Sequence, residues 1–195
     1  MTKIQVSKDA FLKINAFIKK DDSRYYLQGV YIQKAPTGVY LVATDGHKLG
    51  VWQDECSGTI EGDSQIVRID KTILDAIKKD KLATTLEITK NQVTCGDSTF
   101  SNSEGFFVDG TFPDWKRIIP KEAPKDIAQI SFNPELLKPF SLNNKKSCLA
   151  FTFYSDTSPI LIHNTQHAEF FGLVMPVKNT DQQHSYFTVD NKLAA

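Results

Sequence analysis

Cysteine is scarce in this sequence, and the three copies that occur are too scattered to form a recurring framework. Cys56, Cys95 and Cys148 are odd in number and far apart, and no Cys-x-x-Cys pair is present. A disulfide-rich scaffold needs an even set of cysteines, and a zinc ribbon needs closely spaced pairs. We therefore expect a reducing compartment, with the cytoplasm as the best fit, and neither a bound metal nor another cofactor.

The sequence also lacks long apolar runs and an excess of either charge. No run approaches the roughly 20 apolar residues of a membrane span, and the charged opening MTKIQVSKDAF does not resemble a signal peptide. The 195 residues carry 23 basic and 23 acidic side chains. This balance argues against a protein that coats nucleic acid with its whole surface, and it leaves room for a local basic stripe.

The sequence does contain an internal repeat with an offset of 63 residues. Three triplets recur at this spacing: Val6-Ser7-Lys8, Ile69-Asp70-Lys71 and Phe132-Asn133-Pro134. Each triplet ends a short apolar–polar alternation, which predicts three strands: Ile4–Val6, Val67–Ile69 and Ile130–Phe132. The middle residues are good helix N-caps, because their side-chain oxygens can accept from the free amides of a first helical turn.

A helix and three further strands are predicted after each triplet. The apolar helical positions correspond between the copies: Ala10, Phe11 and Ile14; Ile73, Leu74 and Ile77; Leu136, Leu137 and Phe140. Pro139 should shorten or kink the third helix. Turn residues separate the predicted strands, which are Tyr25–Gln33, Val39–Thr44 and Lys48–Gln53; Thr85–Thr89, Gln92–Cys95 and Thr99–Val108; Leu149–Tyr154, Pro159–His163 and Glu169–Val177. The sequence thus predicts an α+β protein of three β-α-β-β-β units.

The basic residues concentrate on the three predicted helices. Segments 8–20, 71–81 and 134–146 carry net charges of +3, +2 and +2, so the rest of the chain carries −7. One lysine-rich helix is usually a solvated face, but three equivalent ones suggest a shared basic surface. Such a surface attracts phosphates without reading base sequence.

Four segments, in this order, resemble the bacterial DNA polymerase III beta subunit family, the DNA sliding clamps. They are RYYLQG (24–29), ATDGHKL (43–49), DGTFPDW (109–115) and VMPV (174–177). The resemblance covers nearly all of residues 1–178 and is to the middle domain followed by half of the last domain. It implies the DNA clamp fold. A complete domain would occupy residues 1–120, with units 1–60 and 63–120, and a third unit would occupy 121–179. Residues 180–195 would be a polar tail that ends in a cloning remnant.

The family resemblance implies a homo-oligomeric ring that encircles double-stranded DNA without sequence preference and acts as a processivity factor in DNA replication. The helices would form the inner wall of the ring. The residues expected to face DNA are Lys8, Lys13, Lys19, Lys20, Arg24, Tyr25, Tyr26, Lys71, Lys78, Lys79, Lys138, Lys145 and Lys146. For Tyr25 and Tyr26, core aromatics at the start of a strand are the alternative interpretation.

The resemblance also implies a groove that binds short peptide motifs of the DNA polymerase and the clamp loader. Matched residue by residue, its lining is Leu27, Thr44, Gly46, His47, Leu49, Pro113, Arg117, Ile118, Leu173, Val174, Met175 and Pro176. Lys48 and Lys116 stand where relatives commonly have arginine, which keeps the charge but loses bidentate geometry.

Three further possibilities follow from the sequence. The pairs Asp45/His47 and His163/His167 could suggest an enzyme, but no nucleophile motif or phosphate loop accompanies them, so we expect no catalysis. A chain with an intact groove and no ring would be a decoy that occupies clamp-binding peptides.

The rings of this family contain twelve β-α-β-β-β units, so three units per chain predict a tetramer. The chains would be joined head-to-tail, or the third unit of one chain would meet the third unit of another.

Overall fold

The computed structural model describes residues 2–19, 21–126 and 130–177. Lys20, which the sequence assigned to the DNA surface, and the predicted tail from residue 180 onward lie outside this range. The helices and strands are β1 (Ile4–Ser7), α1 (Lys8–Ile14), β2 (Val30–Lys34), β3 (Val39–Thr44), β4 (Lys48–Asp54), β5 (Thr59–Ile60), β6 (Ser64–Val67), α2 (Lys71–Lys79), β7 (Thr85–Ile88), β8 (Gln92–Cys95), β9 (Ser98–Ser101), β10 (Phe107–Val108), β11 (Leu149–Thr152), β12 (Ile160–Asn164) and β13 (Phe170–Val174).

Units 1 and 2 exchange their first strands. The five-stranded sheet has the order β5-β1-β7-β8-β9, so β1 of unit 1 extends the meander of unit 2. In the eight-stranded sheet, β10-β6-β2-β3-β4-β13-β12-β11, strand β6 of unit 2 extends the meander of unit 1. Both contacts are antiparallel, with Val6 opposite Leu86 in one and Val30 opposite Val67 in the other. The two units therefore close one hydrophobic core together.

The free side of each first strand is covered by a later segment of its own unit. Strand β5 pairs with β1 through Ile4 and Ile60, and β10 pairs with β6 through Val67 and Phe107. In unit 3 the amide of Val177 donates to the carbonyl of Ser131 over 2.7 Å. In all three units, one side of the first segment is thus covered by a later segment of the same unit.

Unit 3 joins unit 1 through antiparallel pairing of β13 with β4. Gly172 lies opposite Gly50 at the centre of this pairing, and Leu173 lies opposite Leu49. A Cβ on Gly50 would lie 2.7 Å from the Phe17 ring, and one on Gly172 would lie 2.4 Å from the Leu49 carbonyl oxygen. The rings of Phe17 and Phe140 meet edge to face beneath the glycines, 5.0 Å apart. The junction therefore requires glycine on both strands.

The predicted N-caps are confirmed at two of three positions. Ser7 accepts from the amide of Ala10, and Asn133 accepts from the amide of Glu135. Asp70 precedes α2 in an extended conformation, but its side chain accepts no capping hydrogen bond, so that prediction was wrong. In α2, Leu74 and Ile77 are buried, and the helix ends because the Asp80 carboxylate accepts from the amides of Leu82 and Ala83.

The third helix differs most from the sequence-based expectation. It is a 3-10 helix, Pro134–Ser141, with Pro139 inside it, and it ends where Leu142 adopts a left-handed conformation with φ 51°. Proline in a helix interior removes one backbone hydrogen bond and clashes with the preceding turn. The predicted shortening is thus confirmed. The predicted extent of the helix, to residue 146, was wrong.

Several predicted strands also change. Tyr25–Leu27 is a 3-10 turn before β2, because Leu27 donates to the Arg24 carbonyl over 2.8 Å. The predicted strand Thr99–Val108 is broken by a turn at Gly105, which has φ 90°. The continuation, β10, then pairs with β6. The segment Ile130–Phe132 is not a strand within the described part of the chain.

The glycine junction makes the first prediction. G172A should lower the free energy of unfolding by about 1–3 kcal/mol, because the added methyl collides with backbone as well as with Phe140. Urea unfolding at equilibrium measures the effect. G62A is the comparison, since nothing lies within 4 Å of a Cβ there and only its left-handed backbone, φ 112°, opposes the change. An unchanged midpoint for G172A would contradict the packing of this junction.

Candidate functional sites

An apolar groove lies where unit 3 joins the first domain. Its cavity has a volume of about 310 Å³. Nine of the twelve residues expected from the sequence line it: Leu27, Thr44, Gly46, His47, Leu49, Pro113, Ile118, Leu173 and Met175. Segments distant in the chain meet here because the β4–β13 pairing brings unit 3 against the turn after β3.

The floor of the groove is buried and the rim is exposed. Leu27, Leu49 and Leu173 are buried and belong to a second hydrophobic cluster, separate from the main core, together with Phe112 and Trp115. The Trp115 indole donates to the Gln33 side chain over 3.1 Å, which fixes this wall. At the rim, Met175 and Ile118 expose 39% and 45% of their surface. An apolar ligand could thus cover side chains that water now contacts.

Three residues expected in the groove do not line it. Val174 is fully buried in the main core, because neighbouring residues of a strand point to opposite faces and Leu173 takes the groove side. The Arg117 side chain is largely exposed and lies 3.5 Å from Asp114. Pro176 is half-buried and lies outside the lining.

Five lining residues were not predicted to be there: Arg24, Lys48, Phe112, Asp114 and Trp115. Phe112, Asp114 and Trp115 belong to the DGTFPDW segment on which the resemblance partly rests, so the signal was present in the sequence. Arg24, which the sequence assigned to the DNA surface, also lies beside the groove.

The turn that forms one end of the groove is organised by Asp45. Its carboxylate accepts from the backbone amides of His47 and Lys48, each over 2.9 Å, and from the Lys48 ammonium group. Burial acts to raise the pKa of Asp45, but the hydrogen bonds from Lys48 and His47 outweigh it and lower the pKa. All these contacts hold the turn in place.

Arg24 is anchored next to this turn. Its guanidinium donates twice to the Asp22 carboxylate, over 2.8 and 2.7 Å, and once to the Asp45 carbonyl over 3.0 Å. The side-chain and backbone hydrogen bonds from Arg24 hold the pKa of Asp22 well below its usual range. Gln28 donates to the Asp22 carbonyl over 2.7 Å. This network ties the 3-10 turn to the groove.

The helical segments lie side by side, as a shared basic surface requires. Residues 15–18, which directly follow α1, and the start of α2 (Lys71, Leu74) border one cavity, together with Arg68. Arg68, exposed beside this cavity, was missed because it lies outside the three charge-rich segments. Phe17, in the same stretch after α1, contacts Phe140 of the third helix edge to face. The stretch that follows α1 thus lies between α2 and the 3-10 helix of unit 3.

Most of the lysines assigned to DNA are exposed on these segments. They are Lys19, Lys71, Lys78, Lys79, Lys138, Lys145 and Lys146. Lys138 pairs with Glu135, and Lys78 lies 3.5 Å from Asp75. Tyr25 exposes 55% of its surface and contacts the half-buried Tyr26 edge to face. Both tyrosines lie on a turn, where Tyr25 is exposed and Tyr26 packs against the second hydrophobic cluster.

Two further lysines assigned to DNA, the buried Lys13 and the half-buried Lys8, have intramolecular partners for their ammonium groups. The Lys13 ammonium lies 2.7 Å from Asp9, 3.3 Å from His167 and 5.0 Å above the Trp52 ring. Lys8 donates to the Asp80 carbonyl over 2.6 Å. A net charge counted over a segment does not distinguish the helix face on which each lysine lies, and Lys13 shares the inner face of α1 with Ala10 and Ile14.

The second histidine pair does not form a ligand set. His163 is exposed on β12, whereas His167 lies in the following turn and contacts the Glu169 carboxylate over 3.0 Å. Across the ranges 2–19, 21–126 and 130–177, no group of three or more His, Cys, Asp or Glu side chains could hold a metal ion. In the same ranges no helix is long and apolar enough to cross a membrane.

The architecture, with paired units and helices along one face, is the α+β fold of sliding clamps. The family model for the central domain of the DNA polymerase III beta subunit matches residues 3–114. The chain therefore belongs to the DNA polymerase III beta subunit family.

Individual relatives agree with this family. The beta sliding clamp of Proteus mirabilis is 32% identical over 111 residues, which are 54% of this chain and 29% of that protein. The one from Haemophilus influenzae is 26% identical over 162 residues, or 76% of this chain and 42% of the relative. The chain thus spans less than half the length of these relatives.

Solved structures show the same fold. A sliding clamp from Pseudomonas aeruginosa superposes with a TM-score of 0.66 at 18% identity, over 90% of this chain and 66% of that one. The beta chain from Streptococcus pneumoniae gives a TM-score of 0.69 at 17% identity, over 91% and 65%. These overlaps include unit 3, which the family model does not reach.

The Asp22–Arg24 network makes the second prediction. A carboxylate whose pKa is lowered by folding stabilises the protein above its unfolded pKa, and loses that contribution as the pH falls through the folded value. D22N should therefore have a lower free energy of unfolding than the parent at pH 7. The difference should shrink as the pH falls below about 3.8, the ordinary pKa of the group. Urea unfolding at a series of pH values from about 2.5 to about 7 measures this difference in the free energy of unfolding.

D21N provides the matched control, because Asp21 is the exposed neighbour of Asp22. This variant should follow the parent protein across the whole pH series. A D22N curve that stayed parallel to the parent curve down to the lowest pH would show that Asp22 contributes no proton-linked stability.

Proposed function

We propose that the protein is a DNA sliding clamp, a non-catalytic processivity factor that encircles duplex DNA and holds a DNA polymerase through its groove. The observation that carries this proposal is the groove itself, which lies where unit 3 joins the first domain and is lined by nine of the twelve residues that the family resemblance had named. Membership of the DNA polymerase III beta subunit family supports the same function.

We further propose the domain division expected from the sequence, with a complete domain at 1–120 and a third unit at 121–179. The strand exchange between β1 and β6 supports it, because the exchange closes units 1 and 2 into one body. The β4–β13 pairing then forms the boundary between the domain and unit 3.

The groove suits a short peptide with large apolar side chains. Burying one leucine or phenylalanine contributes about 1.5–3 kcal/mol. Two or three such anchors, less the cost of ordering the peptide, give reversible binding in roughly the micromolar range.

The third prediction tests the groove. M175A should weaken binding of a peptide that ends in leucine and phenylalanine by about 5–30-fold, equivalent to roughly 1–2 kcal/mol, because Met175 is only partly buried before the peptide arrives. Isothermal titration calorimetry measures the dissociation constant. V177A is the control, since Val177 is exposed close by but does not line the groove. Equal affinities for M175A and the parent would contradict the assignment.

The fourth prediction tests the helical surface. Reversing Lys71, Lys78 and Lys79 on α2 together should weaken DNA retention. It should also flatten the dependence of log affinity on log salt concentration by about 0.9 for each phosphate that the protein no longer neutralises. A control with the same change in charge reverses Lys34, Lys90 and Lys121, which are exposed outside the helices. Retention should be measured on circular and on linearised DNA, because only encirclement depends on the absence of ends.

Peptide binding should survive the reversal of the α2 lysines, since the groove lies at a different place in the chain. If the two triple variants lost DNA to the same degree, net charge would explain the effect and the helical surface would not. If circular and linear DNA were retained equally, the protein would not encircle DNA.

A clamp-like decoy is the second candidate function. The specific observation in its favour is that both walls of the groove come from one chain, so peptide binding needs no ring. The two functions differ in solution: a clamp assembles into a closed oligomer, for which we propose four chains, whereas a decoy remains effective as a monomer.

A further inference from the structure

The exchange between units 1 and 2 gives each unit a donor and an acceptor. The donor is the first strand, which adds to the sheet of the other unit. The acceptor is the outer edge of the second strand, which receives the other unit's donor. In unit 1 these are β1 and β2, and in unit 2 they are β6 and β7.

Unit 3 has both features, and neither has a strand partner of the exchanged kind among the residues that the structure describes; just past β11 the amide of Lys125 donates to the Phe153 carbonyl over 2.9 Å. Its donor, Ile130–Phe132, is covered on one side by Val177, as β1 is covered by β5 and β6 by β10. Its acceptor, β11, pairs with β12 on one edge and terminates the eight-stranded sheet on the other. An unpaired strand edge is a ready template for pairing with another chain.

The side chains at these positions are apolar and are more exposed than their counterparts. Ile4 and Val6 correspond to Ile130 and Phe132 at twice the 63-residue offset, and Leu86 and Ile88 correspond to Leu149 and Phe151 at one offset. The four residues of units 1 and 2 are fully buried, whereas their counterparts in unit 3 are half-buried or, for Phe151, 36% exposed. The rings of Phe132, Phe151 and Phe153 lie nearly parallel in a row at the edge, 6.2 and 6.4 Å apart. Unit 3 therefore presents half of a core.

We propose that unit 3 pairs with unit 3 of a second copy of this chain, by reciprocal exchange of Ile130–Phe132 onto β11 around a two-fold axis. One pairing then satisfies both donors and both acceptors, because each copy contributes one of each. The self-complementary patch is the kind of interface that a two-fold dimer requires.

The register of the intact exchange predicts the register of the new one. In the chain, Ser7 lies opposite Thr85, Val6 opposite Leu86 and Ile4 opposite Ile88. The same offset places Asn133 opposite Cys148 of the second copy, Phe132 opposite its Leu149 and Ile130 opposite its Phe151. The exposed aromatic row would then lie inside a shared core.

A head-to-tail contact would not satisfy unit 3. The free strand of unit 2 is β9, the last strand of its meander and the counterpart of β4 and β13, which meet at a domain boundary. Placing β9 against β11 would join a boundary edge to an acceptor edge and leave Ile130–Phe132 without a strand to join. Two chains paired through unit 3 instead form an arc of six units, with one copy of β9 at each end. If two such arcs join through their β9 strands, the closed assembly contains four chains. Only this last step rests on the proposed ring.

A disulfide reports the exchange directly. In a C56S background of the full chain, N133C places a thiol opposite the native, exposed Cys148 of the second copy. Directly opposed antiparallel residues have Cα atoms about 4.5–5.5 Å apart, within the range that a disulfide spans. Mild oxidation should convert most of the protein to a covalent dimer on a non-reducing gel, and adding C148S should abolish that dimer.

A second variant separates loss of the interface from loss of folding. F151E introduces a charge at a position that is already partly exposed, so the chain should keep its groove and bind the peptide as the parent does. It should no longer cross-link through N133C, and its mass by light scattering should fall relative to the parent. T99E, on the exposed β9 edge, should leave the N133C cross-link intact.

Two results would overturn the proposal. One is a parent protein that is monomeric at micromolar concentration with no N133C–Cys148 cross-link, which would mean that another part of the polypeptide or another protein covers β11. The other is a parent oligomer that does not cross-link, which would mean a different pairing. Peptide affinity and retention on circular DNA test the proposed clamp function, so either result can be told apart from a failure of that function.

Discussion

The antiparallel pairing of β4 with β13 is the contact on which the rest of the molecule depends. It joins the third unit to a domain that is otherwise closed, and it places Leu49 and Leu173 side by side on one face and the Phe17–Phe140 contact on the other. The pairing is possible only because Gly50 and Gly172 leave room for two aromatic rings and a carbonyl. The groove is therefore a consequence of how the units are joined.

Much of this organisation could be predicted from the sequence, because helix N-caps and apolar–polar alternation mark the elements of each repeat locally. Ser7 and Asn133 cap their helices as expected, and Val39–Thr44 and Gln92–Cys95 have the predicted bounds. The exchange of first strands could not be predicted, since the alternation in Ile4–Val6 shows that a strand forms but not which sheet it joins. Ile130–Phe132 shows the same limit: its pattern is that of a strand, and it lacks a strand partner within the described residues.

More of the expected groove residues than of the expected DNA-facing lysines lie where the sequence placed them, and the reason is physical. Groove residues belong to short motifs whose members act at one place, so matching a motif locates several of them at once. A net charge over a helix carries no such positional information. Lys13 lies over the Trp52 ring beside Asp9, and Arg24 is held by Asp22 next to the groove, although both count as positive residues near the helices.

The two proposed activities, peptide binding and encirclement of DNA, place different demands on the chain. The groove is complete within one copy, because its walls come from unit 1, the segment after β10 and β13 of unit 3. Encirclement requires contacts that one copy cannot make with itself, and the apolar positions that are fully buried in units 1 and 2 are left partly exposed in unit 3. An exposed strand edge that carries aromatic side chains favours the association of two chains over the separate chains. The same exchange that closes a domain within the chain can thus close one between chains, with no new kind of interface.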